Sequence, residues 1–121
     1  MPLESLVLSR DHSVIGMLRQ GLAEFGAVVE VVTGSHQAAA ELERRGFDAI
    51  LIDCDDVHGA LGALKAVRSS PHNGSAKLFA IINGITTDEQ ARQMGATSTI
   101  RKPLSPEKIA QALRDSLEHH H

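Results

Sequence analysis

Ala49-Ile50-Leu51-Ile52-Asp53-Cys54-Asp55-Asp56 is the stretch on which the fold turns. A short aliphatic run that breaks into acids is too brief for a helix and reads as a fully buried strand opening on a polar turn. An acid at the C-terminal end of a buried parallel strand stands where open α/β sheets place their chemistry. Asp53 is therefore the first candidate site residue, and Lys102-Pro103, far downstream, is the second feature any reading must place.

Working outward from that run, short aliphatic stretches alternate with helical patterns, the signature of a βα repeat around a parallel sheet. Ser5-Leu6-Val7-Leu8 is the first strand. Val14, Met17, Leu18, Leu22 and Phe25 then recur at helical spacing, with Gly26 closing that helix. Val28-Val29-Glu30-Val31-Val32 is the second strand, and Ser35 is the expected N-cap of a second helix that runs through Ala38, Leu42 and Arg45 to Gly46. The third helix is expected over 57–68, followed by a loop over 69–75. Leu78 to Ile82 forms the fourth strand, a short helix follows over 87–94, and the fifth strand covers 97–101. Ser105-Pro106-Glu107 opens the last helix with a cap and a proline at its first position.

Composition removes several classes of function. The 121 residues fit one domain. The terminal Leu117-Glu118-His119-His120-His121 reads as the remnant of an expression tag, which divides the chain into a domain over 1–116 and a tag over 117–121. Without Glu118 there are 14 acids against 12 bases, a balance that argues against binding nucleic acid through its phosphates. Three Phe and no Trp or Tyr leave little for base stacking. The lone Cys54 allows no internal disulfide, and no apolar stretch has the length of a membrane span, so a cytoplasmic protein is expected. His12, His36, His58 and His72 are scattered without metal spacing, and Thr33-Gly34-Ser35-His36 does not complete a phosphate-binding loop. Cys54 lacks an evident base and reads as a packed thiol.

Strand-ending Asp53, Gly95-Ala96 before the fifth strand and Lys102-Pro103 after it, set in a (βα)5 order, together resemble the receiver domain of two-component response regulators across 4–117. The resemblance implies a flavodoxin-like three-layer α/β fold with strand order 2-1-3-4-5. It implies Asp53 as phospho-acceptor, a cis bond between Lys102 and Pro103, and Mg²⁺ as cofactor. It also implies a histidine kinase among the partners, and a homodimer through the fourth helix, fifth strand and fifth helix, where Arg92 and Arg101 lie.

The departures from that family are as informative. The family's two acids after the first strand fall at Ser9 and Arg10 when counted back from Gly26 without gaps, and Asp11 stands one place beyond. Asn83 replaces the usual hydroxyl residue after the fourth strand, Thr99 stands where an aromatic residue is usual, and the segment between Asn83 and Gly95 is short. Replacing a carboxylate by a guanidinium changes the charge facing a divalent ion by two units. Even at ε ~80 and ~5 Å this costs about 3 kcal/mol. Asp11 or Asp55 would restore part of the metal site, with Asp11, Asp53 and Asp55 as ligands if a metal binds at all. Arg10 either forks onto Asp53 where the metal would sit or points to solvent. The expectation is an atypical receiver, not an enzyme and without a cofactor. It would act as a phosphorylation-independent interaction or dimerisation module among signalling proteins, with no membrane or direct nucleic-acid contact. The alternative is a receiver phosphorylated on Asp53 by a histidine kinase, with Mg²⁺. A flavin- or nucleotide-binding enzyme on the same fold lacks the phosphate cradle it would need.

Overall fold

The computed structural model describes residues 2–118. The strands are β1 (Glu4–Leu8), β2 (Val28–Val32), β3 (Ala49–Asp53), β4 (Lys77–Ile82) and β5 (Ser98–Arg101). They alternate with α1 (His12–Ala23), α2 (Ser35–Arg44), α3 (Ala60–Ser69), α4 (Asp88–Gln93) and α5 (Pro106–Glu118). All pairings are parallel, as the βα alternation leads one to expect, in the order β2-β1-β3-β4-β5 that the resemblance implies.

Period-2 alternation along the central strands divides the core into two layers. Leu6, Leu8, Ile50, Ile52, Leu78, Ala80 and Ile82 face α2 and α3, packing on Leu42, Leu64 and Val67. Val7, Ala49, Leu51, Phe79 and Ile81 face the opposite way, onto Leu18, Leu22, Ile109 and Leu113 of α1 and α5. Every residue of β3 is buried, which explains why its sequence is continuously apolar up to Asp53.

The helix boundaries shift where caps decide them. The third helix begins at Ala60, not at residue 57, because Gly59 sits in the left-handed region (φ 79°) and cannot continue a right-handed helix. Ser35 is the first helical residue of α2, and Gly34 takes the N-cap position. Asp11 caps α1, accepting from the Ser13 and Val14 amides, and Thr87 forms a capping box with Gln90 on α4. Ser105 Oγ accepts from the Lys108 amide at the start of α5, as its sequence predicts. That helix continues through Leu117 and Glu118; the rest of the tag-like segment, 119–121, lies outside the described residues.

The loop read only as 69–75 carries a structural bolt. Buried Asn73 accepts the Phe47 amide at 2.8 Å and donates to the Leu42 and Arg45 carbonyls and to Ser70 Oγ, each at 3.0 Å. It joins the end of α2 to the entry of β3. Gly46 lies so close to this loop that a Cβ there would stand 2.8 Å from the His72 carbonyl oxygen. Arg68 performs a similar service on the other side, donating to the carbonyls of Gly74, Ala76 and Gly95 and to Thr97 Oγ1.

Candidate functional site

Register brings the site together. Leu8 pairs with Ile52, so the next residues, Ser9 and Asp53, stand side by side at the C-terminal edge of the sheet. Both are completely buried, and Ser9 Oγ donates to Asp53 Oδ2 at 2.9 Å. The other carboxylate oxygen, Oδ1, meets Lys102 Nζ at 3.0 Å. That contact is an ion pair without hydrogen-bond geometry, and Oδ1 has no hydrogen-bond donor among the described residues. Lys102 also donates to Asp56, whose side chain is 45% exposed, so one ammonium spans a buried and a half-exposed acid. Burial opposes the charge on Lys102, but Asp56 and Asp53 together outweigh it and hold the ammonium above its ordinary pKa.

The Lys102–Pro103 peptide is cis, as the resemblance implies. Lys108 Nζ donates to the carbonyls of Arg101 and Pro103, fastening the segment that carries Lys102 to the first turn of α5.

The other candidates disperse. Arg10 is exposed and makes no ion pair with Asp53, so of its two sequence-level alternatives the structure has the solvent-facing one. The cause is alternation: Ser9 still extends the ladder through its amide bond to the Val32 carbonyl and faces Asp53, so its successor turns away. Asp11 is committed to capping α1. Asp55 turns from Asp53 to the loop after β4, where it accepts the Asn83 amide (2.7 Å), the Thr86 amide (3.0 Å) and the Thr86 hydroxyl (2.6 Å). Asn83 is itself exposed and joins the site only through that backbone bond. Thr99 hydrogen-bonds Asp88 of α4, beside the Asp88–Arg101 pair, and the Thr99 bond above all holds the Asp88 carboxyl below its ordinary pKa.

Two participants escape a reading of the sequence. Asp56 is one of three acids in four residues, and nothing in the order of those acids says which faces Lys102. Thr86 is buried, but stands beside the more obvious N-cap Thr87.

The family-implied Mg²⁺ does not fit the residues present. Mg²⁺ demands a near-octahedral set of oxygens. Here Asp11 caps a helix, Asp55 takes three loop donors, and the oxygens of Asp53 face a hydroxyl and an ammonium. Among the described residues no group of three His, Cys, Asp or Glu is arranged to hold a metal ion.

Cys54, next to Asp53, is buried, and burial, with the nearby Asp55 and Asp53 carboxylates, pushes its thiol up to about 12. Such a thiol stays protonated and inert at neutral pH. Because the folded value lies above the unfolded one, the thiol ionises first in the unfolded chain, and that ionisation favours unfolding. Stability should therefore fall as pH rises from 9.0 toward about 12. Urea unfolding over this range should show the decline, and Cys54→Ala should flatten it.

No protein-family model and no curated protein matches the chain. Solved structures do. A chemotaxis response regulator of Vibrio cholerae, CheY4, superposes with a TM-score of 0.82 at 24% identity, covering 94% of this chain and 98% of its own. The receiver domain of a sensor histidine kinase from Pseudomonas aeruginosa, which holds a magnesium ion in its active-site cleft, gives 0.79 at 23% identity, covering 94% and 96%. A response regulator from Thermotoga maritima gives 0.82 at 15% identity, covering 98% and 99%. At these identities the likeness establishes architecture. With its strand order, its buried Asp53 and its Lys102–Pro103 turn, the chain has the CheY-like fold of response-regulator receiver domains.

Proposed function

We propose that this domain is an atypical receiver that works as a phosphorylation-independent interaction module in signalling. It is a binding domain, not an enzyme. The observation that carries this reading is the internal use of Asp53: Ser9 donates to one oxygen, Lys102, shared with Asp56, neutralises the other, and among the described residues no group of three acids, His or Cys is arranged to hold a metal there. Phosphoryl transfer relies on positioning and charge neutralisation by a metal. Where the family places acids, this chain has an inward hydroxyl and an outward guanidinium.

The loop after β4, which would have to move in a switching receiver, is tied by three hydrogen bonds to Asp55. A rigid site suits a domain that presents a constant surface. The α4–β5–α5 face, with Arg92 and Arg101 exposed, is the contact region for a signalling protein, a histidine kinase among the candidates, or for a second copy of the chain. Among the described residues no helix is long and apolar enough to cross a membrane. A cytoplasmic setting belongs to the same reading.

Incubation with acetyl phosphate and Mg²⁺, followed by intact-mass measurement, tests the proposal. The expected result is an unchanged mass. A phosphoryl increment mapped to Asp53 would overturn it and assign the chain to the phospho-accepting receivers.

A further inference from the structure

The strand order leaves β2 at one end of the sheet. The Val28 amide donates to the Leu3 carbonyl at 2.7 Å, and the Val32 carbonyl accepts from the Ser9 amide at 3.2 Å. Peptide groups alternate in direction along a strand, so Val28, Glu30 and Val32 address β1. The N–H and C=O groups of Val29 and Val31 therefore point outward, toward no strand among the described residues. Edge strands usually guard such groups with Pro, Lys, a bulge or an inward charge. Val28-Val29-Glu30-Val31-Val32 has no Pro, Lys or bulge, and Val28 is 48% exposed. Its one charge, Glu30, is paired within the chain: Arg45 bonds it at 2.5 Å and Glu4 at 2.7 Å, while lying over the Phe47 ring.

This strand reads the same in both directions about Glu30. In an antiparallel pairing of two copies around that centre, Val29 of one faces Val31 of the other, and each such pair exchanges two N–H···O=C bonds through the outward groups. Val28 faces Val32, and the two Glu30 residues meet at the two-fold axis, each already bonded to its own Arg45. Sliding the register by two residues would set Glu30 against valine and shorten the ladder, and sliding it by one would turn the side chains to the wrong faces. The self-complementary sequence thus names its own partner.

We propose that β2 is a self-association edge at which a second copy of this chain pairs antiparallel about Glu30, joining the two sheets into one. The contact is isologous, as a two-fold dimer requires. It lies at the opposite edge from β5, so the α4–β5–α5 face stays free for a signalling partner. The inference goes beyond the interaction-module reading and holds whether or not Asp53 accepts a phosphoryl group.

Sedimentation equilibrium of the whole chain from micromolar to millimolar concentration should show a reversible monomer–dimer equilibrium. Val31→Pro removes an outward donor that the monomer does not use, a position where an edge strand tolerates proline. It should weaken the dimer at least about tenfold while far-UV circular dichroism is unchanged. Glu30→Gln removes the like charges facing each other at the axis and should tighten the dimer about threefold without larger species. If Val31→Pro disturbs the fold, the Glu30→Gln result decides: tightening supports the edge, and unchanged affinity overturns it. A chain that stays monomeric to millimolar concentration also overturns the proposal. So does a dimer that is indifferent to Val31→Pro but lost on Arg101→Glu.

Discussion

Lys102→Met should destabilise the domain by about 3 kcal/mol, because it leaves a buried carboxylate without its counter-charge. Asp53 is completely enclosed, and its Oδ1 faces Lys102 Nζ at 3.0 Å with no hydrogen-bond donor among the described residues to take over. Ser9 serves only the other oxygen. Lys102 keeps 18% exposure, which places the loss at the lower end of the range for broken buried pairs. Asp56 is half-exposed and can turn to water, so it adds little to the penalty. Adding Asp53→Asn should recover most of the loss, since the uncompensated charge is then gone. Urea unfolding of the single and double variants gives the coupling, expected at about 2 kcal/mol. Strictly additive losses would mean that the pair is not a unit.

Asn73→Ala should cost about as much, roughly 3 kcal/mol, for a different physical reason. The buried amide side chain makes four hydrogen bonds, three of them to backbone groups of Phe47, Leu42 and Arg45. Alanine takes this partner from the Phe47 amide and from the Leu42 and Arg45 carbonyls. Ser70 has its own bond to the Leu42 carbonyl, so that acceptor is partly protected. The Phe47 amide is not, and it should lose hydrogen-exchange protection first. Urea unfolding measures the global loss. Ser70→Ala should be several-fold milder, near 1 kcal/mol. Equal effects from the two substitutions would show that the loop acts through its backbone alone.

Strands were legible because their apolar runs are bounded by glycines, acids and turn residues, and β3 in particular could be little else. Asp53 and Lys102-Pro103 were legible because their place in the chain fixes them at the sheet's edge. The roles of the acids around them were not. Asp11, Asp55 and Asp56 are similar on paper, yet one caps a helix, one ties the loop after β4, and one reaches Lys102. Side-chain direction at a strand end separates Ser9 from Arg10, and it depends on where the ladder stops. The third helix began late because Gly59 adopts a left-handed conformation, which glycine permits but does not announce. Asn73 sat in a run of Ser, Pro, Gly and Asn that reads as plain loop, and its burial arises only when α2 and β3 pack beside it.

Asp53 is committed to partners within the chain, Ser9 and Lys102. Titrating ¹⁵N-labelled protein with Mg²⁺ and then with beryllofluoride, a phosphoryl mimic, tests that commitment most directly. The amide resonances of Ser9, Asp53, Asn83 and Lys102 should hold their positions throughout. Saturable shifts at Asp53 and Lys102 that spread to Thr86 and α4 would contradict it, showing a site that opens to a metal and switches.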